Sequence, residues 1–161
     1  MKESLAPEPG RVVRLLLAMA VFFWLPWPAP AAGSLDQGRS GAGFKLVVNP
    51  EVGVSKLSQE ELARMFLGKK TLWESGTRIT PAMLDESTST ATGFIEGIVR
   101  RTVAQYQAYW KRQLFLGGGT APKTFRNSAQ VIDYVAKNPG AIGVVEVSAA
   151  DDRVRVVAVE N

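Results

Sequence analysis

The chain has 161 residues, a formal net charge of +4, and neither cysteine nor histidine. That length suits one domain. Without cysteine there are no disulfides, thiol nucleophiles or thiolate metal sites, and without histidine the usual general base and the commonest metal ligand are gone.

The basic residues are scattered, with pairs at Lys69-Lys70, Arg100-Arg101 and Lys111-Arg112. No basic stripe forms, so nucleic acid is not an expected partner. A mild positive field instead favours the approach of a small anion.

Residues 1–32 read as a secretory leader. Lys2, Arg11 and Arg14 make a positive start, Leu15 to Leu25 an apolar run, and Ala29-Pro30-Ala31-Ala32 a small-residue cleavage region after the breaker Pro26-Trp27-Pro28. The apolar run falls short of the roughly 20 residues a spanning helix needs, so removal near Ala31 or Ala32, with no retained membrane span, is expected. Residues 33–43 are rich in Gly and Ser and read as a tether. A single domain is expected over 44–161.

Phe44 to Asn49 alternates as a strand, with Phe44, Leu46 and Val48 on one face, and Asn49-Pro50 stops it. Ser58 and Glu61 form a capping box for a helix whose buried stripe is Leu62, Met65 and Phe66 and whose terminator is Gly68. Trp73 to Thr77 is a turn, with Trp73 a packing anchor. Arg78 to Leu84 reads as a short strand, and Pro81 puts it at an edge or an irregular position.

The next stretch is Asp85-Glu-Ser-Thr-Ser-Thr-Ala91, hydroxyl-rich, ahead of the helical series Ala91, Phe94, Ile95, Ile98. A helix N-terminus leaves backbone N–H groups unpaired and carries partial positive charge, which suits an oxyanion. Ser and Thr also serve there as plain caps. Both uses stay open. The candidate ligand-binding residues are Thr88, Ser89, Thr90 and Ala91.

Thr102 and Gln105 make a second capping box, and Val103, Tyr106, Trp110 and Leu114 give the apolar face of the helix that follows. Gly117 to Thr120 is a loop, not a nucleotide-binding one, because no Gly-Lys-Ser/Thr follows. Asn127, with Gln130 at the box position, starts a helix burying Val131, Ile132 and Val135. Ala141 to Val147 is a nearly continuous apolar strand, and Arg153 to Val159 a more exposed one. The order β-α-β-α-α-α-β-β predicts a three-layer α/β domain, one sheet with helices on both faces. The adjacent pairs Asp85-Glu86, Glu60-Glu61 and Asp151-Asp152 point apart on any regular element, so no metal cluster or general-acid pair is expected, and no enzyme.

Met65-Phe-Leu-Gly68 followed by Trp73, the Ser/Thr turn with Phe94 behind it, and Asn138-Pro-Gly-Ala-Ile-Gly143 together resemble the phosphate-binding proteins of bacterial ABC transporters. The resemblance runs from about Phe44 to Val147. It implies a type II periplasmic-binding-protein lobe, an exported location, and phosphate or a similar small oxyanion as ligand. The partner it implies is an ABC permease or another envelope protein. Aligned on Phe94, the family's Ser-Gly-Thr falls on Thr88-Ser89-Thr90, its arginine on Leu84 and its aspartate on Glu86. The strongest side-chain partner of a tetrahedral anion is therefore absent. Arg78, Arg100 and Arg126 are the arginines available to replace it. The length matches one lobe of the family, so a ligand would meet half of its usual surroundings. A homodimer with facing clefts is one way to complete them. An interaction module that has lost ligand binding is the alternative.

Overall fold

The computed structural model describes residues 43–149 and 151–160. The leader read at 1–32, and nearly all of the tether, lie outside them. The elements are β1 (Phe44–Val48), β2 (Lys56–Ser58), α1 (Gln59–Phe66), β3 (Thr80–Leu84), α2 (Ser89–Phe94) running into a π-helical turn (Ile95–Val99), α3 (Val103–Phe115), β4 (Lys123–Phe125), α4 (Ser128–Lys137), β5 (Ala141–Glu146) and β6 (Arg155–Glu160). The strands form one mixed sheet in the order β2-β6-β1-β5-β3-β4. The row β5, β3, β4 is parallel, while β1 runs antiparallel to both its neighbours.

Both faces are covered, which gives the three layers. On one side, a side chain at Gly143 would run into Val131 and Val135 of α4 and Val47 of β1. On the other, the Phe94 ring of α2 meets Phe44 of β1 edge-on at 5.4 Å and Phe66 of α1 at 4.6 Å. Such tilted aromatic pairs add to the burial of large apolar area that drives this packing. The helix starts follow local chemistry. Ser58 and Glu61 complete their capping box, as do Thr102 and Gln105. At α4, Asn127 accepts the Gln130 N–H, but the Gln130 side chain accepts from Arg126 rather than from the cap residue.

The motifs that carried the family resemblance turn out to be structural joints. Tyr106 donates its hydroxyl to the Phe66 carbonyl (3.0 Å) and Tyr109 to the Leu67 carbonyl (2.7 Å). Burial holds the Tyr106 phenol above its usual range, so it remains a donor. Gly68, at φ 67°, terminates α1, and a Cβ there would lie 2.9 Å from the Trp110 ring. The Trp73 indole N–H donates to the Gly140 carbonyl at 2.8 Å, tying the Trp73–Thr77 turn to the Pro-Gly step before β5. Asn49, buried at the end of β1, donates to the Val135 and Ala136 carbonyls and so satisfies the C-terminal end of α4.

Four expectations need correction. Of the two expectations for Pro81 the edge fails, since β3 lies between β5 and β4, and the irregular position holds, since β4 pairs only from Ala82 onward. Proline is tolerated there because N–H directions alternate along a strand. Thr80 N–H points to Gly140 on the β5 side and Asp85 N–H to Phe125 on the β4 side. Pro81 therefore faces the β4 side, where β4 pairs only from Ala82 onward. The short strands β2 and β4 have no counterpart in the expected order, because three residues carry no alternation to detect; each is defined by its neighbour. The helix after Ala91 is α-helical only to Phe94 and then widens into the π turn. Lastly, Leu114 does not join the buried stripe of α3. Tyr106 and Trp110 do, but α3 outruns the body it packs on and Leu114 is 56% exposed. Replacing Leu114 with Gln is accordingly expected to change stability by less than about 0.5 kcal/mol, as for other exposed sites. Urea unfolding would report it, and a loss of core-like size would contradict the placement.

Candidate functional site

The carboxyl ends of β5, β3 and β4 lie side by side, and the N-termini of α2 and α4 follow β3 and β4 directly. This is the edge at which open α/β sheets hold ligands. The turn into α2 is fastened to it from both sides. Asp85 N–H donates to the Phe125 carbonyl of β4 (2.8 Å), and Glu86 accepts from Gln107 of α3 (2.7 Å). The α4 start is fastened in turn by Ser128, whose hydroxyl accepts the Glu146 N–H at the end of β5 (3.1 Å).

The four candidate residues have different surroundings. Thr88 is the N-cap of α2. Its hydroxyl accepts the Ala91 N–H (3.2 Å) and donates to the Asp85 carbonyl (2.7 Å), so both its capacities serve the turn. Ala91 is buried with its amide used in that way. Thr90 is buried too, its hydroxyl directed at the Gly43 carbonyl at a long 3.4 Å. Ser89 is exposed at the first helical position. The amides of Ser89 and Thr90 have no protein acceptor among the described residues. They are the donors this entrance can offer to an anion.

Replacing Thr88 with Ala removes one cap bond and exposes no core. It should cost about 1 kcal/mol, the usual worth of such a cap. A shift of the urea midpoint of that size, with unchanged far-UV dichroism, is the expected result.

The charges at this end are mixed. The Ser87 hydroxyl (2.6 Å) and backbone N–H (3.0 Å) both donate to Asp85, and these bonds hold its carboxyl below the usual range. An ionised carboxylate thus already sits at the mouth of the helix. The Asp-x-Ser spacing is a familiar turn signal, and Asp85 could have been singled out on that ground. Leu84, where the family has arginine, is 1% exposed and points into the core. The candidate replacements sort by position. Arg78 precedes β3, about 20 Å away along an extended strand. Arg100, in a left-handed conformation at φ 56°, closes the far end of the helix, roughly 16 Å from its start. Arg126 follows β4 and is the one of the three at this edge. The remaining acidic pairs are used structurally. Glu61 completes its cap and meets Lys70 at 2.8 Å, and Asp151 pairs with Arg153.

No protein-family model matches the sequence, and no curated protein matches it significantly. Solved structures do match. An ABC-type phosphate transport receptor from Vibrio cholerae aligns at a TM-score of 0.56 and 19% identity, over 74% of this chain and 47% of the receptor. A protein assigned as a phosphate ABC transporter substrate-binding protein, from Clostridium perfringens and with bound phosphate, aligns at 0.58 and 22%, over 73% and 44%. PstS from Borrelia burgdorferi aligns at 0.58 and 14%, over 74% and 47%. The described residues have the fold of a type II periplasmic-binding-protein lobe. The chain spans less than half the length of each of these receptors, and at such identities the likeness is one of fold.

Proposed function

We propose that this chain is an exported solute-binding domain that holds phosphate or a similar small oxyanion, in phosphate uptake or sensing. The observation that carries the reading is the placement of two free amides, Ser89 and Thr90, at a helix entrance beyond the carboxyl ends of parallel strands. Thr88 and Ala91 build that entrance, and Ser89 adds an exposed hydroxyl. The bound phosphate in the Clostridium perfringens structure supports the ligand class. A periplasmic location rests on the leader read at 1–32. No helix among the described residues is long and apolar enough to cross a membrane. An ABC permease is the natural partner for such a receptor, and the absence of histidine and cysteine from the chain supports a non-enzymatic role.

Binding here is expected to be weak, because one lobe supplies part of a ligand's surroundings and Asp85 repels an anion. Calorimetric titration of the full chain with phosphate at moderate salt tests it. Saturable heat that Ser89→Pro abolishes supports the site, since proline removes one of the amides; no heat at millimolar phosphate rejects it. A second reading is favoured by the buried Leu84 and the carboxylate at the mouth: an interaction module docking an envelope protein, with ligand binding lost. A facing homodimer would instead complete the site, and sedimentation reports whether one forms.

A further inference from the structure

At the opposite end of β3 the strand row has a gap. The Ile79 N–H donates to the Thr71 carbonyl (2.8 Å) and Leu72 bridges Arg78, while β4 joins only at Ala82. Between them, beside Thr80 and Pro81, lies a cavity of about 280 Å³. Proline suits the position because it has no amide to leave unpaired there.

The walls of this cavity are of two kinds. Met65, Pro81 and Tyr134 present apolar surface. Lys70, Arg78 and Lys123 present positive charge, and no carboxylate lines it. Lys70 is already paired with Glu61, and the Lys123 ammonium lies 4.9 Å from the centre of the Tyr134 ring. Arg78 has no hydrogen-bond or ion-pair partner among the described residues. Thr80 also lines the cavity, although its hydroxyl is closed off from solvent. Three cationic side chains around an apolar wall suit an oxygen acceptor that bears negative charge and is carried on an apolar body.

We propose that this cavity is a second binding site, for a small organic anion. Its apolar body rests on Met65, Pro81 and Tyr134, and its carboxylate or phosphate group meets Arg78. The volume lies at the lower limit of ligand pockets, which suits a body of about one aromatic ring and excludes a nucleotide. The site does not depend on the α2 entrance, which lies at the other end of β3.

Nitrogen-15 NMR titration of the full chain with benzoate, phenyl phosphate and inorganic phosphate, each alone, tests the proposal. Saturable shifts centred on Thr80 and Ala82 are expected with at least one aromatic anion at millimolar concentration. The benzoate and phenyl phosphate arms tell which acid group is preferred. Inorganic phosphate should shift these amides at least about tenfold less tightly, since it leaves the apolar wall bare. Arg78→Glu, on an exposed side chain, should keep the fold and weaken the aromatic anion at least about tenfold. Arg78→Lys should retain part of the affinity, and Thr88→Ala all of it. Absence of saturable shifts with both aromatic anions, affinity indifferent to Arg78→Glu, or loss through Thr88→Ala would each overturn the assignment. If inorganic phosphate binds as tightly as the aromatic anions, the organic ligand class is wrong.

Discussion

Gly140→Ala is expected to lower the free energy of unfolding by about 2–5 kcal/mol, the sum of a left-handed backbone penalty and an overpacked contact. Gly140 has φ 80°, a region that L side chains rarely enter. A Cβ there would run into the Arg78 carbonyl oxygen and lie 2.8 Å from Thr77 Cγ2. Neither is the free end of a flexible side chain, so the strain passes to the backbone. The residue also holds two bonds through its carbonyl, from the Trp73 indole (2.8 Å) and the Thr80 amide (3.2 Å). Moving Gly140 to relieve the clash loosens the joint between the Trp73 turn and the parallel strands. Gly53→Ala is the control, because Gly53 has no positive φ and a Cβ there would have nothing within 4 Å. Comparable urea midpoints for the two variants would show that the joint does not matter.

Leu84→Arg, which puts back the family's residue, is expected to destabilise the fold by about 3–5 kcal/mol and to create no tighter phosphate site. Side chains alternate along β3, and Ala82 stands opposite Gly143, whose face is covered by α4. Leu84 shares that face and is 1% exposed. An arginine there would lose a well-packed leucine and bury a charge near the positive N-terminal end of α4. Calorimetry and urea unfolding on one preparation would decide. A stable variant with clearly tighter phosphate binding would mean that Leu84 is the single lesion in an otherwise intact site. The opposite expectation holds for Ser89→Gly, which changes an exposed residue at the first turn and should be nearly neutral for stability.

Much of this fold can be read locally. Ser58 with Glu61, and Thr102 with Gln105, announce helix starts because capping depends on residues three apart, and both boxes form. The apolar run at Ala141 becomes a central strand for an equally local reason: a strand covered on both faces is apolar nearly throughout. The Ser/Thr entrance was legible as an entrance, since Thr88 caps α2. What its hydroxyls do was not. Donation to Asp85 and acceptance from Ala91 occupy Thr88, while burial takes Thr90 and leaves Ser89 outside.

Where the helices begin, most of the core, and the lack of chemistry requiring histidine or cysteine follow from the chain's residues alone. Those are matters of composition and of spacing within one or two turns. Tertiary packing sets Pro81 inside the sheet and Leu114 outside the core, and it gives Arg126 rather than Arg78 or Arg100 the edge that holds the α2 entrance. Each of these depends on which distant segment lies alongside, and pairings such as Ala82 with Lys123 are set by packing across the whole domain rather than by neighbours in the chain.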